Sequence, residues 1–354
     1  NEVEKSGIIV HDYSIEPSST IHTFCSSLLS LIPDGPGLNP WMTVQIKSLI
    51  DIFSKERPEI VHLWQDGTNI VGGIAAILSG VPRIFLSARS TPPFSLKNSQ
   101  FPDKGASYYL HNRYSRKMYQ YLLDFENVQI IFNSKVCADF YFDWLGLDPD
   151  FERFHVIPNA VMIEAGAKEK SLIKNNNKVV GGVFRLKEVK QPILWLQIAE
   201  YVINNSPENV QFVILGDGPL WEKCNQWIEN SRLSDRIRMV GFTDSVNDWM
   251  KTFDVLLQTS VVEGLPNTLI EAQHCGVPVV TTDAGGSKET IVDGVTGFCS
   301  QGFDVEEIGD LVLSALFDEN WSENAKKESK IWARKNFSLE KMHHTLLSLY
   351  GVEK

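Results

Sequence analysis

Short runs of β-branched and apolar residues alternate with amphipathic stretches along almost the whole chain. In the first half the runs are GIIVHDY (7–13), EIVHLWQ (59–65), PRIFLSAR (82–89) and NVQIIFNS (127–134), separated by helical patterns such as VQIKSLIDIFSKE (44–56). The second half has VVGGVF (179–184), VQFVILGDG (210–218), IRMVGF (237–242), DVLLQTS (254–260) and PVVTTDAGG (278–286). Continuous apolar strands between helices imply parallel sheets covered on both faces. Two such blocks predict an α/β protein of two doubly wound, Rossmann-like domains. A polar stretch rich in lysine and asparagine follows Pro158-Asn159 and precedes Val179, which is the composition of a linker. The expected domains are therefore residues 1–161 and 162–330. The helical segment 331–354 is expected to pack back toward the first domain.

Composition narrows the class. The chain has 354 residues, 43% hydrophobic and 22% charged, and a formal net charge of −11. That acidity argues against nucleic acid as a partner. No apolar run approaches the ~20 residues of a membrane helix. Five scattered cysteines without Cys-x-x-Cys spacing read as reduced thiols, and predict a cytoplasmic protein with neither disulfides nor a zinc site. The Asp148–Asp150 triplet falls in a loop away from the other chemistry, so no metal site is assigned. No cofactor is expected.

In open parallel sheets, ligands bind at the carboxyl ends of strands, where loops lead into helix N-termini. Arg185 and Lys190 lie five apart after VVGGVF, and GDGP (216–219) follows VQFVIL. Gly241-Phe242 follows IRMV, EGLPNTLIEA (263–272) follows DVLLQTS, and AGGSKE (284–289) follows PVVTTD. Pro266 suits the start of a helix, whose free N–H groups and partial positive charge attract an anion. Gly285-Gly286 would allow close backbone approach to a ligand. With two cations nearby, this describes a diphosphate site. Glu271 and Glu263 flank it, and carboxylates there are better suited to hydroxyls than to phosphates. Ribose on one side and a sugar on the other make the expected ligand a nucleotide sugar.

The stretch EGLPNTLIEAQHCGVPVVTTDAGGSKETIVDGVTGF resembles the signature of the retaining glycosyltransferases of family 4, which have the GT-B fold. Its two glutamates separated by seven residues match Glu263 and Glu271, and the family's Arg/Lys pair matches Arg185 and Lys190. VIPNAV, IIFNSKVCADF and VILGDGP also resemble family segments. The resemblance is close over about residues 127–300 and weak in the first third. It implies that Glu271 binds ribose, that Glu263 contacts the donor sugar, and that Arg185 and Lys190 neutralise the leaving diphosphate. Backbone N–H groups around Gly264, Leu265, Asn267 and Thr268 would hold phosphate and sugar. Gly241 and Phe242 would lie along the base, with Gly216 in a donor-domain loop. The implied activity is metal-independent transfer of a hexose or N-acetylhexosamine, with retention, from a UDP-linked donor to a glycan or glycolipid in surface polysaccharide synthesis.

On the acceptor side the expected residues are His62, Asp66 and Arg89. The family's leading strand and glycine-rich loop are not recognisable before GIIVHDY, so the first domain is expected to lack its first strand. Residues 104–123, KGASYYLHNRYSRKMYQYLL, carry no acid, four basic residues and five tyrosines. They predict a basic, aromatic surface for anionic lipid at the inner face of a membrane. The rival readings are a nucleotide-sugar epimerase or hydrolase of the same fold, and a catalytically silent nucleotide-sugar-binding subunit.

Overall fold

The computed structural model describes residues 40–92, 106–148, 151–162 and 177–352. The strand expected at 7–13, and with it the question of a missing first strand, lies outside the described residues. So do Pro149 and Asp150 of the acidic triplet. Two compact units form. The first holds the described residues up to Ala88, within Pro93–Ile131 and within Phe142–His155. The second holds Arg89–Pro92, Phe132–Tyr141 and the described residues from Val156 onward.

Helix α1 (Pro40–Glu56) leads into β1 (Ile60–Trp64), α2 (Asp66–Leu78), β2 (Arg83–Ala88), α3 (Ala106–Leu123), β3 (Val128–Phe132), α4 (Lys135–Leu145) and β4 (Phe154–Val156). The four strands lie in sequence order in one sheet. β1 and β2 run parallel, with Trp64 opposite Ser87. In α3, Met118, Tyr119 and Leu122 are buried while Arg116 is exposed. Tyr119 donates to Asp66 Oδ1 at 2.6 Å, so this part of the tyrosine-rich segment is packed into the unit and hydrogen-bonded there.

The second unit contains β5 (Lys178–Val183), a short 3₁₀ turn (Glu188–Lys190), α5 (Pro192–Asn205), β6 (Val210–Leu215), α6 (Trp221–Ser231) and β7 (Ile237–Gly241). There follow α7 (Val246–Met250), β8 (Val255–Gln258), α8 (Asn267–Cys275), β9 (Val279–Thr282), a 3₁₀ turn (Gly285–Thr290) and β10 (Gly297–Ser300). Three helices close the unit: α9 (Val305–Phe317), α10 (Glu319–Asn336) and α11 (Leu339–Leu349). Each starts on a side-chain cap, from Asp304, Asp318 and Ser338 respectively. α10 packs on α8.

The sheet order is β10-β9-β8-β5-β6-β7, with its paired strands parallel. Counted within this unit, that is the 3-2-1-4-5-6 order of a doubly wound nucleotide-binding sheet, and the order reverses between β5 and β8. Its inner strands are buried on both faces, with successive side chains alternating between them, while the edge strand β7 keeps Arg238 exposed. Val180, Phe212, Ile214, Val255 and Leu257 pack against α5, α6 and α9, with Trp195, Cys224 and Ile308 in the same core. Val179, Val213, Leu215, Leu256 and Val279 pack on the other face with Trp249, Met250 and Leu269. The fully apolar runs of the sequence become two-sided strands for this reason.

Candidate functional site

The crevice outside the carboxyl ends of β5 and β8 is where a sheet of this order receives a ligand. Lys190, from the 3₁₀ turn after β5, donates to Glu263 Oε1 in the loop after β8. The ammonium and carboxylate are 25% and 12% exposed, so this pair is largely withdrawn from water. Glu263 Oε1 also accepts from Ser260 Oγ at 2.6 Å and from Gln258 Nε2 at 3.0 Å. Gln258 Oε1 in turn accepts from Thr268 Oγ1 at 2.9 Å, which joins the start of α8 to the same network. Lys190 is thus a counter-ion of Glu263 as well as an expected phosphate ligand. An ammonium carries three N–H donors, so the two roles are compatible.

Arg185 is exposed, and its side chain has no hydrogen bond or ion pair among the described residues. Pro266 stands immediately before α8 with an extended backbone, and no side chain caps the helix. The N–H groups of its first turn, including those of Asn267 and Thr268, are therefore left for other acceptors. Glu271 lies a turn into α8, half-buried. Burial pushes its carboxyl above the usual range, and it has no hydrogen-bond partner among the described residues.

The loops around this crevice are clasped to one another by close backbone approach. A Cβ on Gly264 would sit 2.0 Å from the Arg89 carbonyl oxygen, and one on Gly286 would sit 2.0 Å from the Gly264 carbonyl oxygen. Gly285 has φ 59, and a Cβ there would sit 2.2 Å from the Glu263 carbonyl oxygen. The glycine pair is thus needed first for the approach of the protein's own backbone. Arg89 donates to Asn159 Oδ1, and burial lowers its pKa to about 10, so it remains cationic at neutral pH. Asn159 Nδ2 donates to Leu265 O and to Asn267 Oδ1. Leu265 is buried with Ile270 and Phe337, so its side chain serves the core.

At the neighbouring strand ends, Gly216 N donates to Gly241 O at 2.8 Å, which brings those two predicted residues together. Phe242, the next residue, is 80% exposed. His62 and Asp66 belong to the first unit. His62 Nε2 lies 2.7 Å from Ser87 Oγ and its ring stacks on Trp64 at 4.9 Å. Asp66 accepts from Tyr119.

Sequence reasoning missed Gln258, Ser260, Asn159 and Glu289. Glu289 accepts from Lys135 N at 2.9 Å and Val136 N at 2.7 Å, which caps α4 from a residue distant in sequence. Gln258 has a signal of its own: it is a polar break in an otherwise apolar strand. Asn159 and Glu289 carry none, because their partners lie far along the chain, whereas Ser260 is only three residues from Glu263 and its role depends on how the loop after β8 turns back. Among the described residues no cluster of three or more His, Cys, Asp or Glu is placed to hold a metal ion. No described helix is long and apolar enough to cross a membrane.

Residues 165–332 match the family model of glycosyl transferases group 1, and residues 11–165 match that of glycosyltransferase family 4. The Vi polysaccharide biosynthesis protein VipC/TviE of Salmonella typhi is 31% identical over 74% of this chain, which spans 45% of that protein's length. An Escherichia coli UDP-Gal:α-D-GlcNAc-diphosphoundecaprenol α-1,3-galactosyltransferase is 28% identical, over 77% of this chain and 71% of that protein. Among solved structures, HepE of Anabaena in complex with UDP superimposes with a TM-score of 0.72 at 19% identity. The match covers 87% of this chain and 82% of that one, and the shared fold is GT-B.

Proposed function

Because this chain belongs to the family 4 glycosyltransferases, we propose that it transfers a hexose or N-acetylhexosamine from a UDP-sugar to a glycan or glycolipid acceptor. The observation that carries this reading is the crevice between β5 and β8. The strand order reverses there: Arg185 and the paired Lys190 follow β5, Glu263 follows β8, and an uncapped helix start with the unpartnered carboxylate of Glu271 comes next in the chain. The relatives' names supply the substrate classes: a UDP-galactose donor with a lipid-diphosphate acceptor in one, polysaccharide synthesis in another.

In the mechanism we propose, the diphosphate rests on the first-turn N–H groups of α8, with Arg185 and the two remaining N–H donors of Lys190. Glu271 accepts from the ribose hydroxyls and Glu263 from the donor sugar. Bond cleavage concentrates charge on the departing phosphate, which the two cations stabilise without a metal. One such contact is worth about 2.7–4 kcal/mol of barrier. The acceptor hydroxyl attacks the anomeric carbon from the face the leaving group departs, as the bond from that carbon to the diphosphate oxygen breaks, and gives its proton to the departing phosphate, so that the anomeric configuration is retained. Gly241 and Phe242 lie along the base. His62, Asp66 and Arg89 are the proposed acceptor-side residues. Of the basic segment 104–123, the exposed Arg116 face is proposed to meet anionic lipid, which neutralising Arg116 with its neighbours tests by liposome binding.

The test is calorimetric titration with UDP, followed by UDP-sugars and analysis of the product anomer. The expected results are UDP binding that weakens in Glu271→Ala, a product of retained configuration, and turnover that survives EDTA. A chain that binds no UDP, or an inverted product, overturns the proposal.

A further inference from the structure

Gln258 is the last residue of β8, beside β5 at the reversal of strand order, and is only 3% exposed. The three residues before it, Val255, Leu256 and Leu257, are fully apolar and buried. A carboxamide buried at the end of such a strand has to be satisfied, and it is satisfied at both ends. Its nitrogen donates to Glu263 Oε1 and its oxygen accepts from Thr268. An ionised carboxylate only accepts, so Glu263 fixes which end of the amide faces it. The Thr268 hydroxyl then meets the amide oxygen.

All three side-chain donors to Glu263, from Lys190, Ser260 and Gln258, converge on Oε1. Oε2 has no side-chain partner among the described residues. We propose that Gln258 is a positioning residue, which with Ser260 and Lys190 anchors Glu263 through Oε1 and leaves Oε2 to accept from a hydroxyl of the donor sugar. Through Thr268, the same amide ties the sugar-binding carboxylate to the helix start that holds the phosphates. Sugar and diphosphate are then gripped in one fixed relation. This inference rests on the assignment of Glu263 to the donor sugar.

The experiment compares affinity for UDP with affinity for UDP-glucose, UDP-galactose and UDP-N-acetylglucosamine by calorimetry, between about pH 5.5 and 8.5. The ratio of UDP-sugar to UDP affinity isolates the sugar contact. Gln258→Met keeps the volume and removes the donor. It is expected to lower the ratio roughly tenfold or more, beyond any loss of UDP affinity from the freed Thr268, as loss of a hydrogen bond to a charged group does. Gln258→Glu sets a second carboxyl against Glu263. Two carboxyls in contact share a proton at acid pH, which preserves the hydrogen bond, and repel once both ionise. Its ratio is expected to match the parent at the acid end and to fall as pH rises, a step that loss of packing alone does not produce. A parent-like ratio in both variants at every pH overturns the inference. Glu263→Ala run in parallel separates the two failures. An unchanged ratio there sinks the Glu263 assignment itself. A reduced ratio there with parent-like Gln258 variants sinks only the role of Gln258.

Discussion

The side-chain amide of Asn159 donates to Asn267 Oδ1 at 2.6 Å and to the Leu265 carbonyl at 3.0 Å. The end of the segment that follows β4 is thereby tied to the residue that opens α8. Its oxygen accepts from Arg89, so one asparagine links a loop of the N-terminal half to the helix start. Asn159→Ala takes a donor from the Leu265 carbonyl and from Asn267 Oδ1, at the buried start of α8. The expected loss is about 1–3 kcal/mol of stability. Denaturant titration measures it, and UDP affinity is expected to fall with it as the helix start loosens.

Arg185 and Lys190 are matched in sequence but not in setting. Arg185 is exposed and unpaired, so Arg185→Ala is expected to lower kcat at saturating UDP-sugar by roughly 10²–10³ with stability unchanged. Lys190→Ala removes the same kind of contact but also takes the counter-ion from the Glu263 carboxylate, which is 12% exposed and keeps Ser260 and Gln258 as donors. It is expected to lose turnover and about 1–3 kcal/mol of stability together. Glu263→Gln in the Lys190→Ala background is expected to recover part of that stability and none of the turnover. Thermal melts and initial rates on the same four proteins decide it.

The second sheet is legible in the sequence because its strands other than β10 are centred on β-branched and apolar residues, with polar residues few and mostly at their ends, between amphipathic stretches. β10, GFCS, is too mixed to stand out, and pairs in parallel with β9. Of the candidate site, the charged residues Arg185, Lys190, Glu263 and Glu271 stand out in the sequence by their spacing, and the structure joins Lys190 to Glu263. The site's supports are not legible. Glu289 looks like a solvated acid of a glycine-rich loop until α4 is folded beneath it. Gly285 and Gly286 read as a ligand cradle, whereas the nearest atoms to them belong to the backbone of residues 263 and 264. Long-range contacts of this kind leave no period in the chain.

Gly264→Ala tests that clasp. The added Cβ would lie 2.0 Å from the Arg89 carbonyl oxygen, and backbone is the wrong thing to ask to move. The expected cost is about 1–3 kcal/mol, typical of overpacking. The displacement would also be passed to Glu263 and Leu265 on either side. Melting temperature and the UDP-sugar to UDP affinity ratio are both expected to drop. A variant with a parent-like melt would show that residue 264 has room the structure denies it.

Glu271 offers the sharpest contrast between folding and binding. Burial raises its carboxyl pKa in the folded chain, whereas the unfolded chain leaves it near the ordinary value. A group raised in this way favours the folded state fully below its unfolded pKa. That advantage is lost as pH climbs through the folded pKa, so at neutral pH the buried charge is a burden on the ligand-free protein. Glu271→Gln removes the charge and keeps the shape. It is therefore expected to stabilise the ligand-free protein at neutral pH and to lose that advantage as pH is lowered and the parent carboxyl protonates. Binding runs the other way. The ribose hydroxyls need an acceptor, and the carboxylate is a better one than an amide, so UDP affinity is expected to fall in the variant. In the parent, UDP affinity is expected to weaken as pH drops through the raised pKa, and the variant is expected to lack that step. Melts and calorimetry across the acid range read both halves. Higher stability with weaker UDP binding is the signature of a residue kept for its ligand. A variant that loses stability and binds UDP as tightly as the parent would make Glu271 a structural acid and move the ribose elsewhere.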